Sequence, residues 1–189
     1  MPVETEIKLR FDDFDALRRA LTEARATCSG CVIETSWFFD RPDGSLRAAD
    51  KGLRIRAAEA DDGSERPSIL TYKGPSDPGP IRCRPEIELA VSDPAVARDV
   101  LLATGFVEVL VYQKRRETWR LASCHVELDD VPELGRFVEI EGPDRQAVAN
   151  VQQQLALDAA PAVTPTYAAM MLDHVHRTNL SPPHVMLSR

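Results

Sequence analysis

Four charged residues near the start of the chain are spaced two apart: Glu4, Glu6, Lys8 and Arg10. The residues between them are uncharged and mostly apolar, and this alternation predicts a β-strand with one charged face. The first two carboxylates would lie about 7 Å apart on that face, where they repel each other unless a ligand holds them. A divalent cation is the usual ligand for such a pair. The alternative is an amphipathic strand whose polar face meets water.

The same spacing recurs in later segments of the chain. Acidic pairs two residues apart are Glu86 with Glu88, Glu127 with Asp129, and Glu139 with Glu141. Basic pairs at the same spacing are Arg54 with Arg56, Arg82 with Arg84, and Lys114 with Arg116, while Lys73 stands alone at the end of a predicted strand. Several strands therefore combine an apolar face with a charged face of one sign, and such sorting is unfavourable without a ligand.

Strand faces sorted by charge suit the binding of a triphosphate. Arginine forms bidentate hydrogen bonds with phosphate, and lysine acts as a point charge. Carboxylates repel phosphate directly, but they bind Mg²⁺ or Mn²⁺, which contact phosphate oxygens in turn. The alternative is internal salt bridging, in which acids and bases of neighbouring strands neutralise one another. The sequence contains neither a Walker A motif nor a GxSxG nucleophile elbow.

Strand and helix signals along the chain predict an α+β fold. Alternating charges and β-branched or aromatic residues predict strands at 4–11, 32–40, 53–57, 68–73, 81–91, 107–121, 123–130 and 137–141. Capping residues and apolar stripes predict helices that begin near Asp13, Asp93, Asp144 and Pro165. Because these helices cover the apolar strand faces, the charged faces must point at one another. A largely antiparallel sheet curved into a barrel with a polar lumen meets this requirement.

Length and composition indicate one soluble domain. The 189 residues are 43% hydrophobic and 28% charged, as in an ordinary globular protein. A net charge of −7 argues against general nucleic-acid binding, and neither a membrane-spanning apolar run nor a signal-peptide pattern is present. We therefore expect a cytoplasmic protein without nucleic-acid or membrane partners. The domain is expected to span residues 1–177, followed by an irregular tail over residues 178–189.

The four cysteines give no strong signal for metal or redox chemistry. Cys28 and Cys31 form a CxxC sequence that we expect in a turn after the first helix. A structural zinc site would need a second pair at similar spacing, but Cys83 and Cys124 are isolated. A thioredoxin-like motif would open a helix rather than follow one. The thiols are expected to be reduced and incidental.

The order of these motifs resembles the CYTH superfamily, the triphosphate tunnel metalloenzymes. The resemblance rests on segments at 4–8 (ETEIK, an ExExK pattern), 52–56 (GLRIR), 71–75 (TYKGP), 84–88 (RPEIE), 113–116 (QKRR), 128–131 (LDDV), 134–141 (LGRFVEIE) and 166–167 (TY). It implies an eight-stranded antiparallel β-barrel, the triphosphate tunnel, with helices packed outside and triphosphates bound with Mg²⁺ or Mn²⁺. Known members include inorganic, thiamine and RNA triphosphatases and class IV adenylyl cyclases.

Two positions depart from the family pattern. The segment at 37–40 resembles a stretch that in many members includes a tyrosine, and here it contains none. The missing phenolic hydroxyl weakens a thiamine triphosphatase interpretation. Ser36 replaces an acid that is common at its position, so one expected polar contact is missing.

The leading hypothesis is a metal-dependent hydrolase of inorganic triphosphate or a nucleoside triphosphate. The acids predicted to bind the metal are Glu4, Glu6, Asp129, Glu139 and Glu141. The bases predicted to bind the phosphates are Lys8, Arg54, Arg56, Lys73, Arg84, Lys114 and Arg116, with Lys8 and Lys73 also as catalytic residues. The first alternative is a class IV adenylyl cyclase, which converts ATP to cyclic AMP and pyrophosphate. The second is a non-catalytic module that binds polyphosphate or nucleotide. The substrate's base and the choice between monomer and homodimer stay open.

Overall fold

The computed structural model describes residues 1–61 and 63–187, with the side chain of Glu65 excepted. The strands in this part of the chain are β1 (Val3–Arg10), β2 (Thr27–Asp40), β3 (Gly52–Ala60), β4 (Glu65–Lys73), β5 (Ile81–Val91), β6 (Val107–Leu121), β7 (Cys124–Val131), β8 (Gly135–Glu141) and β9 (His184–Val185). The helices are α1 (Phe14–Glu23), α2 (Ser45–Ala48), α3 (Pro94–Ala103), α4 (Arg145–Gln154) and α5 (Tyr167–Thr178). The predicted α+β class is confirmed.

Strands β1 to β8 form a closed antiparallel barrel. Their order is β2–β3–β4–β5–β1–β8–β7–β6, and β6 pairs with β2 to close the ring. All of these neighbouring pairs are antiparallel. The predicted eight-stranded barrel with helices outside is therefore confirmed. Closure directs one face of every strand into a common lumen.

The outward strand faces form the main hydrophobic core with the helices. Ile7 and Leu9 of β1 alternate with charged residues and are almost fully buried. They belong to a cluster that includes Leu17 and Leu21 of α1 and Val148 of α4. Each of the longer helices begins after a side chain that accepts a hydrogen bond from an amide of the first turn. These capping residues are Asp13, Asp93, Asp144 and Thr166.

A second apolar cluster closes one end of the lumen. Tyr112 of β6, Val131 of β7 and Phe137 of β8 each lie two positions from a lumen charge, so strand alternation places them on the lumen face. Helix α5 packs Tyr167 against them, and β9 adds Val185 to the same cluster. β9 is held there by parallel pairing with β6. The lumen is therefore a charged pocket with an apolar floor.

The prediction of a turn around the CxxC sequence is wrong. Both cysteines lie inside β2, and both are free thiols. The register with β6 shifts between Cys28 and Gly30, which leaves Ser29 as a β-bulge. Gly30 has a φ of +112°, a backbone conformation that residues with a side chain rarely adopt. Gly30 therefore lies at a bend within a long strand.

The tail predicted over residues 178–189 contains the short strand β9. Its last two residues, 188 and 189, lie outside the described residues. The domain boundary at residue 177 stays a prediction. Within the described ranges, no helix combines the length and the apolar character that crossing a membrane would require.

Candidate active site

Every strand of the closed barrel contributes charged side chains to the lumen. They are Glu4, Glu6 and Lys8 (β1), Glu34 (β2), Arg54 and Arg56 (β3), Lys73 (β4), Arg82, Arg84 and Glu86 (β5), Lys114 and Arg116 (β6), Glu127 and Asp129 (β7), and Glu139 and Glu141 (β8). Asp129 is 0% exposed, and Lys8 and Lys114 are each 2% exposed. Ions buried to this degree need partners of opposite charge, so the contacts among them define the site.

The predicted metal ligands lie on three adjacent strands, β1, β8 and β7. The bases Arg54, Arg56 and Lys73 lie on β3 and β4. Around the ring, β3 is four strands from β8, and β4 is four strands from β7. Four strands is half of an eight-stranded ring, so these two groups face each other across the lumen. Lys114 and Arg116 on β6 are next to the acidic strands instead. The bases of β3 and β4 and the acids of β7 and β8 thus lie on opposite sides of the lumen, and β6 adds bases beside the acidic strands.

Arg116 is the centre of the densest ion-pair network. Its Nε and Nη2 donate to the two carboxylate oxygens of Asp129 at 2.7 and 2.6 Å, a bidentate geometry. Nη2 also donates to Oε2 of Glu139 at 2.6 Å, and Nη1 pairs with Glu127. Lys114 donates to Oδ2 of Asp129 at 3.0 Å. Against the effect of burial, Arg116 and Lys114 lower the pKa of Asp129 well below its ordinary value.

Glu34 is a lumen residue that the search for charge pairs missed. It lies on β2, is 5% exposed, and accepts a hydrogen bond from Arg56 at 3.2 Å. Its Oε2 lies 3.4 Å from Nζ of Lys114 and 3.9 Å from Nε of Arg116. Although burial opposes the shift, these bases lower the pKa of Glu34 to about 2. Strand alternation would have found it, because Glu34 shares a face with Ser36.

Lys73 joins two carboxylates on the other side of the lumen. Its Nζ lies 2.5 Å from Oε1 of Glu4 and 3.5 Å from Oε1 of Glu86. Burial raises the pKa of Glu86 to about 7, opposed by Lys73 and reinforced by repulsion from Glu4. Burial would also raise the pKa of Glu4, but Lys73 lowers it overall. Two acids therefore share one ammonium group at this point.

Lys8 lies near the apolar floor. Its Nζ is 4.3 Å from the ring centroid of Tyr167 and 3.8 Å from Oε1 of Glu139. Burial lowers the pKa of Lys8, against the attraction of Glu139. Glu4 and Lys8 are four residues apart on β1, which is about 13 Å along a strand. Lys73 pairs with Glu4, so the two predicted catalytic lysines lie at different depths of the lumen.

The two arginines of β5 have different environments. Arg82 pairs with Glu6 inside the lumen. Arg84 donates from Nε and Nη2 to the carbonyl oxygen of Gly74, at 2.8 and 2.5 Å, and from Nη2 to that of Asp50 at 3.0 Å. Two of its three nitrogens are therefore committed to backbone carbonyls. Arg84 fastens the two loops that contain Asp50 and Gly74, whereas the sequence pattern did not distinguish it from the other bases predicted to bind phosphate.

Four buried polar atoms in the lumen have no hydrogen-bond partner in the structure as described. Three belong to charged groups, Oε2 of Glu4, Oε2 of Glu34 and Nε of Arg54, and the fourth is the hydroxyl of Tyr167. Oε2 of Glu34 still has ion-pair contacts, whereas Arg54 forms none within the described residues. A free buried acceptor and a free buried donor are unfavourable unless a ligand completes them. Oε2 of Glu4 could therefore accept a cation, and Nε of Arg54 could donate a hydrogen bond to an anion.

The acidic strands fit a divalent cation in chemistry but do not hold a preformed site. Carboxylate oxygens are the ligands that Mg²⁺ and Mn²⁺ prefer. Glu6 and Glu141 lie opposite each other in the ladder between β1 and β8, and burial together with repulsion from Glu4 and Glu6 raises the pKa of Glu141. In residues 1–61 and 63–187, however, no group of three or more acids, histidines or cysteines is arranged to hold a metal ion. Most of these acids are turned toward lysine or arginine, so internal salt bridging accounts for part of the lumen.

Two tyrosines of the lumen were not predicted as site residues. Tyr112 stacks on Phe38 with 5.5 Å between ring centroids, and Tyr167 supports Lys8 and Lys114 from the floor. The segment at 37–40 lacks a tyrosine, but β6 supplies a phenol next to it. Burial raises the pKa of Tyr112 well above its ordinary value, so this hydroxyl stays protonated. Only the contact between β2 and β6 reveals that Tyr112 lies beside Phe38, since these two residues are far apart in sequence.

Comparison with known proteins places this geometry in a family. The model of the CYTH domain matches residues 2–164. The protein MJ0240 of Methanocaldococcus jannaschii, provisionally named an adenylate cyclase, is 31% identical over 139 residues, which are 74% of this chain and 76% of that protein. The adenylate cyclase CyaB of Aeromonas hydrophila is 28% identical over 180 residues, which are 88% of this chain and 87% of CyaB.

Solved structures show the same fold. PH1819 of Pyrococcus horikoshii OT3 superposes with a TM-score of 0.79 and 26% identity, over 90% of this chain and 99% of that one. HpAC1 of Hippeastrum, provisionally named an adenylyl cyclase, superposes with a TM-score of 0.68 and 20% identity, over 95% of this chain and 98% of HpAC1. The resemblance found in the motifs thus extends to the whole barrel.

Proposed function

Because this chain belongs to the CYTH domain family, we propose that it hydrolyses inorganic triphosphate or a nucleoside triphosphate with the help of Mg²⁺ or Mn²⁺. One observation carries the proposal. Nε of Arg54 is a buried donor without a hydrogen-bond partner, and Oε2 of Glu4 is a buried acceptor without one. A phosphate oxygen would satisfy the donor and a divalent cation the acceptor. A triphosphate bound with its cation supplies both at once.

The phosphate-binding role is assigned to bases on both sides of the lumen. We assign Arg54, Arg56, Lys73, Lys8, Lys114 and Arg116 to the phosphates. All except Arg54 are paired with carboxylates of the lumen, for example Arg56 with Glu34 at 3.2 Å. Binding would exchange these internal pairs for pairs with phosphate oxygens, which leaves the buried charges compensated throughout. Arg84 is assigned to holding the two loops, because its guanidinium already binds their carbonyl oxygens.

The cation-binding role is assigned to Glu4, Glu6, Glu139, Glu141 and Asp129. A bound Mg²⁺ or Mn²⁺ would neutralise phosphate charge and help to orient the attacking water. Release of an acid from its lysine or arginine partner would free its oxygens for this purpose. Lys73 and Lys8 would stabilise the charge that develops on phosphate oxygens as the bond breaks, Lys73 beside Glu4 and Lys8 nearer the floor.

A second function, cyclisation of ATP, is favoured by the names of the relatives. Both MJ0240 and CyaB are named as adenylate cyclases, and CyaB matches over most of both chains. In that reaction the ribose 3′-hydroxyl replaces water as the nucleophile and pyrophosphate leaves. HpAC1, which shares the fold, is described as having a dominant triphosphatase activity. A cyclase name therefore does not decide between the two reactions, and we favour the hydrolase.

Product analysis tests the proposal. The protein is incubated with inorganic triphosphate or with ATP, each with Mg²⁺ or Mn²⁺, and the products are separated by ion-exchange chromatography. Release of orthophosphate without cyclic AMP is the expected result. Formation of cyclic AMP with pyrophosphate would support the cyclase instead. If both compounds bind and neither is converted with either metal, the protein is a non-catalytic binding module and the proposal fails.

A further inference from the structure

Tyr167 places a hydroxyl group at the closed end of the lumen. It is the first residue of α5, and Thr166 before it caps that helix. Tyr167 is 6% exposed and packs edge-on against Phe137, with 5.2 Å between the ring centroids. Its hydroxyl oxygen is buried and has no hydrogen-bond partner within residues 1–61 and 63–187. A buried hydroxyl without a partner is unfavourable, so this atom is available to a ligand or to a water.

The groups around this hydroxyl differ in what they offer a water molecule. Nζ of Lys8 lies 4.3 Å from the ring centroid of Tyr167, and Nζ of Lys114 lies 5.0 Å from it. Both ammonium groups are donors only, so neither accepts a hydrogen bond. Burial raises the pKa of Tyr167 far above its ordinary value, and the carboxylates of Asp129 and Glu139 reinforce this shift. The hydroxyl therefore stays protonated, and its oxygen can accept a hydrogen bond.

The two carboxylates near the floor already have partners. Asp129 accepts hydrogen bonds from Lys114 and Arg116, and Glu139 accepts one from Arg116. Both acids are also assigned to the cation. The oxygen of Tyr167 is thus an acceptor at the floor that is not committed to a base.

The closed floor determines which phosphate lies nearest to Tyr167. A triphosphate that enters from the other end of the lumen has a terminal phosphate nearest the floor, whereas a nucleoside stays toward the entrance. In phosphoryl transfer, the attacking oxygen and the leaving oxygen lie roughly in line through the phosphorus atom. The water that attacks the terminal phosphorus therefore lies between that phosphate and the floor, on the side of Tyr167.

We propose that the hydroxyl oxygen of Tyr167 accepts a hydrogen bond from the attacking water and so directs a lone pair of that water at the terminal phosphorus. This role rests on the function proposed above, the hydrolysis of a triphosphate. With inorganic triphosphate, the water oxygen bonds to the terminal phosphorus, and the bond from that phosphorus to the bridging oxygen breaks. The electron pair of the broken bond leaves with pyrophosphate. One proton of the water stays on the new orthophosphate and the other passes to pyrophosphate, so Tyr167 neither gains nor loses a proton.

Tyr167→Phe tests this role, because it removes the hydroxyl and keeps the ring that Lys8 and Lys114 contact. With inorganic triphosphate and Mg²⁺, kcat for orthophosphate release should fall about 10- to 100-fold, since the water is no longer held in line. Calorimetry with triphosphate in EDTA, where the proposed metal-dependent turnover does not occur, should give the same dissociation constant for variant and wild type. The melting temperature should not fall, because the hydroxyl that is lost has no partner. A merely structural hydroxyl would lower the melting temperature and leave kcat unchanged.

Tyr72→Phe is the matched control. Tyr72 is half-buried on β4 and lies next to Lys73, so strand alternation places it on the outer face of the barrel, and its variant should keep the wild-type kcat. A wild type that releases orthophosphate and a Tyr167→Phe protein with the same kcat would overturn the role of Tyr167 and leave the proposed hydrolase intact. A higher dissociation constant with unchanged kcat would place the hydroxyl on a phosphate and would also overturn it. A wild type that releases no orthophosphate would remove the proposed hydrolase, and the role of Tyr167 with it.

Discussion

Glu4 and Arg54, like Glu34, each have one buried polar atom without a hydrogen-bond partner. Burying an unsatisfied donor or acceptor costs about 1–3 kcal/mol, so such atoms in a polar pocket need a partner such as a ligand, an ion or an ordered water. The two residues lie on β1 and β3, which are not neighbours in the barrel. Substitutions of Glu4 and of Arg54 therefore test the cation-binding half and the phosphate-binding half of the proposed site separately.

Glu4→Gln tests the cation half. The amide keeps the shape of the side chain but offers a weaker ligand for a hard cation, so turnover with Mg²⁺ should fall by about 100-fold or more. Glu59→Gln, an exposed position on β3, is the matched control and should keep full activity. Steady-state phosphate release at several metal concentrations measures the effect. Near-normal turnover of Glu4→Gln would show that the metal binds elsewhere.

Arg54→Ala tests the phosphate half. Loss of one charged hydrogen-bond donor should weaken triphosphate binding by about 10- to 100-fold, or roughly 1–3 kcal/mol. The melting temperature should change little, because Arg54 has a buried donor without a partner and attracts Glu4 and Glu34 only at longer range. Arg120→Ala, an exposed position on β6, is the control. Isothermal titration calorimetry with inorganic triphosphate gives the affinities, and equal values for all three proteins would place the phosphates elsewhere.

Glu34 makes a prediction about acid stability. Its pKa in the folded protein is about 2, against an ordinary value of 4.5. A depressed folded-state pKa stabilises the fold above pH 4.5, and that contribution disappears as the pH falls toward 2. The full contribution is on the order of 3 kcal/mol.

Urea unfolding between pH 5 and 2 measures this contribution. As the pH falls through this range, the free energy of unfolding of Glu34→Gln should decrease less than that of the wild type, because the amide does not titrate. Glu59→Gln should follow the wild-type curve. Parallel curves for the wild type and Glu34→Gln would show that Glu34 is not held ionised by Lys114 and Arg56.

At the scale of single residues, sequence patterns predicted which charged side chains face the lumen better than they predicted the hydrogen-bond and ion-pair partners of those side chains. Alternation placed residues such as Glu4, Lys73 and Arg116 on inward faces, because the period of a strand is a local property. It could not show that Arg84 binds loop carbonyls, since that depends on where Asp50 and Gly74 lie in space. Glu34 was missed because it has no charged neighbour two residues away.

At the scale of secondary-structure elements, long strands and capped helices were predictable and short elements were not. The strand at 81–91 matches β5, and the strand at 107–121 matches β6. β2 begins five residues before its predicted start at residue 32, because a bulge at Ser29 lets a glycine-containing segment stay paired with β6. β9 has two residues, too few for any periodicity, and exists only because it pairs with β6.

Val185→Asp tests whether β9 contributes to the floor of the lumen. Val185 is 6% exposed and packs in the cluster with Phe137 and Tyr167. An unpaired carboxylate there should reduce the free energy of unfolding by about 2–4 kcal/mol. The adjacent Met186 is 47% exposed, so Met186→Asp should change stability by less than about 0.5 kcal/mol. Equal effects of the two substitutions, measured by chemical denaturation, would mean that β9 is not a packed part of the barrel.

At the scale of the whole molecule, the closed barrel converts opposite charges on separate strands into one binding cavity. An open sheet would leave these charges in water, where each ion pair contributes little. Closure buries them, so removal of any single partner leaves an uncompensated ion. The chain as a whole carries a charge of −7, yet bases line much of the cavity. The overall charge therefore says little about what the lumen binds.

The buried network predicts that anion and cation bind cooperatively. Acids of the lumen such as Glu4 and Glu139 are paired with bases such as Lys73 and Arg116. A triphosphate that takes the bases leaves the acids without partners, and a cation that takes the acids leaves the bases free. Each ligand alone therefore breaks internal pairs, whereas both together replace them. The two ligands should strengthen each other's binding.

A thermal-shift experiment measures this coupling. Inorganic triphosphate alone and Mn²⁺ alone should each raise the melting temperature modestly, and together they should raise it by clearly more than the sum of the separate shifts. Glu4→Gln should keep the shift with triphosphate but lose most of the excess seen with both ligands, because its weakened site is on the cation side. Glu59→Gln should behave as the wild type. A lumen of fully satisfied internal salt bridges would respond to neither ligand, alone or together, and that outcome would contradict a triphosphate site in this barrel.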